Sequence, residues 1–136
     1  MPKKSWREKL ADPADPVIKP APVDIAGMKK GQVMLVPTAR QIDAFIRGLP
    51  EGRAMDVKTL RATLARQHGA EVTCPVQTGY HLRTVAEVAG AALAAGADPA
   101  EVTPVWRVLD AKAPTLSRLE CGAGGILARR RAEGLD

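Results

Sequence analysis

The chain has 136 residues and a mass of 14.4 kDa, a length that suits one domain and leaves no room for two. With 46% hydrophobic and 26% charged residues, its composition is that of a globular protein and excludes wholesale disorder. A net charge of +5 permits contact with nucleic acid without demanding it, and the absence of any eighteen-residue apolar run excludes a spanning helix.

Residues 1–30 show no sustained period and carry Pro2, Pro13, Pro16, Pro20 and Pro22, which predicts an extended basic arm ahead of a domain at 31–136. One helical turn is expected around Ser5–Leu10, where Ser5 and Glu8 have capping-box spacing, and Trp6 is expected to dock on the domain or on a partner. The opening stretch is charged and lacks an apolar core, so no secretory leader and a cytoplasmic address are expected. Val33-Met34-Leu35-Val36 reads as a short strand closed by Pro37. Thr38 and Gln41 then form a second capping box, opening a helix whose apolar face is Ile42, Phe45, Ile46 and Leu49. Asp56 caps the next helix, with Val57, Leu60, Leu64 and Ala65 inward and Gly69 as its stop.

A third helix is expected from about Thr78 to Ala95, with Gly96 as a left-handed stop and a close-packed, Ala-rich second half. Asp98-Pro99 begins a short turn, Thr103–Leu109 reads as extended, 110–121 as a loop or short hairpin, and Gly124–Ala132 as a final helix. Two helices joined by a turn, then an extended element and a wing-like loop, predict a mainly α fold of the winged helix-turn-helix kind.

Charge is uneven: residues 1–40 carry +4, residues 41–106 carry −1 and residues 107–136 carry +2. A phosphate-binding surface must therefore draw on the ends, with Lys3, Lys4, Lys29, Lys30 and Arg129-Arg130-Arg131 as a diffuse clamp. Tyr80, His81, Arg83 and Thr84 open the third helix, where a helix-turn-helix meets base edges and phosphates. Cys74 precedes that helix and is the candidate nucleophile, since a helix N-terminus and a nearby His81 lower a thiol pKa. His68 fits a charge partner at a helix C-terminus, and Cys121 is a weaker thiol candidate in the wing-like loop. Two cysteines are too few for a disulfide framework or a tetrahedral thiolate centre, and no cluster has metal-ligand spacing, so neither metal nor cofactor is expected.

From Thr103-Pro104-Val105-Trp106-Arg107-Val108 onward the sequence resembles the DNA-binding, active-site domain of O6-alkylguanine-DNA alkyltransferases, which carry Pro-Cys-His-Arg-Val after a helix-turn-helix. Ile42–Gly52 with Leu60 and Leu64 upstream, and Gly124-Gly125-Ile126 with Ala132-Glu133-Gly134 downstream, extend the likeness over about residues 33–135. The resemblance places the alkyl-accepting cysteine at Val105, its activating histidine at Trp106 and the orienting carboxylate at Glu133, left with nothing to orient. The phosphate-rotating tyrosine falls at Val57, the arginine finger near Glu87–Val88, and a largely structural arginine at Arg107.

Without thiol and base the family's reaction is lost at position 105. The resemblance thus implies a non-catalytic, alkyltransferase-like protein that binds duplex DNA, recognises alkylated or damaged sites and signals to a DNA-repair protein. Val57, Val105, Trp106 and Arg107 would line a relic lesion pocket, although Trp106 fits core volume as well as a stacking wall. Two alternatives keep the fold: a thiol enzyme built on Cys74, and a protein-interaction module that presents the third helix and Trp6.

Overall fold

Capping chemistry decides where the first helices begin. The computed structural model describes residues 4–135 and is mainly α-helical with a small three-stranded sheet. Helix α1 (Trp6–Leu10) starts at Ser5, whose hydroxyl accepts from the Glu8 N–H while the Glu8 carboxylate accepts from the Ser5 N–H. Helix α2 (Ala39–Arg47) starts at Thr38 through the same reciprocal pair with Gln41, and α3 (Val57–Gln67) starts at Asp56, which accepts from the Thr59 N–H. Helix α4 (Pro75–Ala94) begins three residues before the expected Thr78, because Pro75 sits at the helix start, where its missing N–H costs nothing. Helices α5 (Pro114–Ser117) and α6 (Gly124–Ala132) complete the set.

The observed elements depart from the expected order at three places. Strand β1 (Val17–Pro20) pairs antiparallel with β2 (Val33–Val36), and β3 (Val72–Thr73) pairs with β2 in parallel. Residues 17–20 are therefore an edge strand within the fold and not a free arm. The turn 21–32 closes behind them through Ala21 N–H to Gln32 O and Gly31 N–H to Ala21 O, burying Ala21 and Met28 against Met34. All four β1 residues are exposed, so the strand carries no alternation for a sequence reading to detect. Residues 110–121 hold turns and α5 with no strand, so no hairpin wing follows α4. Residues 105–107 form a 3-10 turn in place of the expected extended segment, tightened by Arg107 N–H to Pro104 O at 3.0 Å.

Twenty residues make α4 about 30 Å long, and it runs through the middle of the main core. Its Leu82, Val85 and Ala89 share that core with Ile42 and Ile46 of α2, Leu60 and Leu64 of α3, and Ile126 of α6. The expected close approach along its Ala-rich half is found at Gly90, where a Cβ would lie 2.5 Å from the Cys121 sulfur. Replacing Gly90 by Ala should cost about 1 kcal/mol, because the sulfur must move. In a Cys121→Ala background the same change should instead stabilise, since helical Ala is favoured over Gly by up to about 1 kcal/mol. Urea unfolding of the two singles and the double tests this; equal effects of Gly90→Ala in both backgrounds would remove Cys121 as the reason for the glycine.

Candidate functional site

The first half of α4 supplies one wall of a cleft of about 520 Å³. Tyr80, His81, Arg83 and Thr84 all line it, so the structure brings together the four residues expected to meet DNA. The opposite wall is α1 and the residues after it, with Trp6, Lys9, Asp12 and Asp15, and Val36 to Ala39 close one side. A five-residue helix does not stand alone in water, so α1 exists because it docks on α4. Trp6 anchors it: its ring carries Lys9 Nζ at 4.3 Å and the Arg83 guanidinium at 4.9 Å, and its N–H donates to Glu120.

The four α4 side chains are not equally available. Tyr80 is 64% exposed and open to the cleft. His81 is half-buried; burial pushes its imidazolium below the ordinary range, against smaller opposing effects of the Pro37 backbone and the Asp12 charge. Arg83 acts as a strut, pairing with Glu87 at 3.4 Å and donating to Arg118 O at 3.1 Å. Thr84 is buried and donates its hydroxyl back to Tyr80 O within the helix. Glu87, placed by the resemblance near an arginine finger, is buried and accepts the Glu120 N–H with both carboxylate oxygens.

The relic pocket has a different geometry from the expected one. Val105 and Trp106 are 0% and 1% exposed, and Val57 packs half-buried against the main core from the first turn of α3. Trp106 and Arg107 border a surface hollow of about 340 Å³ whose lining includes neither Val57 nor Val105. Glu133, expected to have lost its partner, is instead the hub there. It accepts from Trp106 Nε1, from Arg107 Nε at 2.9 Å and Nη2 at 3.0 Å, and from the Gly52 N–H at 3.0 Å. Burial by itself would raise this carboxyl; the bonds from Arg107, Gly52 and Trp106 outweigh it and hold it at about 2. Arg107 also donates to Leu49 O at 2.8 Å, which is the strut expected of it.

The remaining expectations sort by burial. Cys74 is half-buried at the N-cap of α4 and makes no side-chain cap bond; it borders an apolar hollow of about 260 Å³ with Val23, Ile25 and Val76. Cys121 is exposed, and burial of its sulfur, then the Glu87 charge, push its thiol up, which disfavours the reactive thiolate. His68 caps the end of α3 and shares a hydrogen bond with the Gln41 amide at 2.7 Å. The Arg129-Arg130-Arg131 run is not a uniformly solvated clamp: Arg130 is buried and donates to Trp106 O, Arg129 is half-buried and Arg131 is exposed. Lys3 lies outside the described residues.

Sequence reasoning missed Asp12 and Lys9 as cleft residues. The signal available was Trp6, an aromatic in an otherwise polar lead segment. Among the described residues no group of three or more His, Cys, Asp or Glu is placed to hold a metal ion, and no helix is long and apolar enough to cross a membrane. Compared with known protein families, curated proteins and solved structures, the chain matches none.

Proposed function

We propose that this chain is a non-catalytic DNA-binding protein of the alkyltransferase-like type, with α3, β3 and α4 serving as a helix-turn-helix and the segment 110–121 in the place of a wing. The observation that carries this reading is the face formed by the first half of α4 and α1. Tyr80 stands 64% exposed there, and Lys4, Lys9 and Arg83 line the same cleft. Cations and an exposed aromatic around one cleft suit phosphate and base contacts together. The resemblance over residues 33–135 adds alkylated or damaged duplex as the preferred target and repair as the process.

Fluorescence anisotropy with labelled duplexes, plain and carrying O6-methylguanine, over a salt series tests it. Binding should weaken steeply with salt, and Lys9→Ala should lower the slope of log affinity against log salt by about 1. Tighter binding to the lesion supports the alkyltransferase-like reading; equal binding leaves a general DNA binder. No shift at low salt rejects the function.

A further inference from the structure

We propose that the cleft between α1 and α4 is a binding site for a small planar anion bearing an amino group, the chemistry of an adenine or cytosine nucleoside 5′-monophosphate. Its volume of about 520 Å³ falls within the range of small-molecule sites. More telling is that its lining is polarised. At one end Lys9 and Arg83 gather around Trp6, at 4.3 and 4.9 Å from its ring. Elsewhere in the cleft Asp12, Pro37 and His81 contribute to the lining. An anionic group meets Lys9 at the first place, where Arg83 is already held by Glu87 and the Arg118 carbonyl, and an amino group meets a carboxylate at the second.

The body of the ligand is set by the aromatic part of the lining. The Trp6 ring already carries two cations, so the free aromatic surface is Tyr80, exposed and lining the cleft. A planar heterocycle stacks on such a ring, and stacking tolerates any base. Selection between bases then falls to Asp12. Its carboxylate accepts from the Ala14 N–H at 2.9 Å and keeps lone pairs for a second donor, which an exocyclic amine supplies and a carbonyl does not. A ligand that spans both walls also holds α1 down, a helix with no buried residue of its own.

The inference stands apart from the DNA reading, because its test contains no DNA. Isothermal titration of the full chain with AMP, IMP, adenosine and inorganic phosphate should show sub-millimolar binding of AMP alone. Removal of the phosphate or exchange of the amine for a carbonyl should each weaken binding about tenfold. Tyr80→Ala, which removes an exposed side chain and leaves the core intact, should weaken AMP about tenfold, and Asp12→Asn should abolish the preference for AMP over IMP. Hydrogen exchange of amides 6–12 should slow on AMP addition. No saturable heat up to about 10 mM AMP, or equal affinities for AMP, IMP and phosphate, overturns the proposal. So does an Asp12→Asn variant that still discriminates. A chain that binds AMP but no duplex keeps this inference and loses the preceding one.

Discussion

Replacing Glu133 by Gln is expected to remove about 3 kcal/mol of stability at pH 7 and the loss of stability that this carboxyl brings between about pH 4.5 and 2. The folded carboxyl titrates at about 2, against an ordinary value of 4.5. Each unit of such a difference corresponds to about 1.4 kcal/mol. Because the folded value is the lower one, the unfolded chain binds more protons between the two. The contribution is therefore fully present above about 4.5 and is lost as pH falls toward 2. Little of it is discounted by solvent, since the Glu133 side chain is only 2% exposed.

The glutamine keeps the shape but not the charge, and leaves the Arg107 guanidinium, 13% exposed, without a counter-ion. For a domain whose whole stability is of order 5–15 kcal/mol this is a large part. Urea midpoints of wild type and Glu133→Gln at pH 7 and pH 3 decide it. The wild type should lose most of its advantage at the lower pH. A variant within about 1 kcal/mol of wild type at pH 7, with an unchanged acid profile, would reduce the cluster to a surface-like ion pair.

Local chemistry was legible in the residues, and pairing at a distance was not. Ser5–Glu8, Thr38–Gln41 and Asp56 announce three helix starts from side chains three positions apart, and Gly69 and Gly96 announce two stops, with φ of +69° and +91°. Strand β1 was hidden because no face of it is buried, and β3 because two residues carry no period. What holds them is register with β2, and β3 reaches it from 38 positions along the chain at Met34↔Val72. The candidate site divides the same way. Its α4 wall was readable as the opening of a helix, whereas its α1 wall depends on Trp6 meeting Arg83 and Glu120, contacts that no local pattern encodes. Glu133 likewise looked idle in the sequence, because its partners Gly52, Trp106 and Arg107 come together only when α6 packs over the 105–107 turn.

Trp106 gives the sharpest separation between a core residue and a lesion-stacking wall. As the largest fully buried side chain it should cost about 3–5 kcal/mol when truncated to Ala, because α6 cannot collapse into a void of that size. Trp106→Phe retains much of the ring volume but drops the N–H that Glu133 accepts, and should cost about 1–3 kcal/mol for the partner left short in a dry site. The Phe variant remains folded enough to assay, and leaves Trp6 as the single tryptophan reporting on α1. Trp106 is not among the residues lining the α1–α4 cleft, so duplex affinity and nucleotide affinity in that variant should stay within about twofold of wild type. A Trp106→Phe protein of wild-type stability that no longer distinguishes O6-methylguanine from plain duplex would reverse the assignment. The ring would then face a ligand, and opening of α6 away from the turn would have to precede recognition.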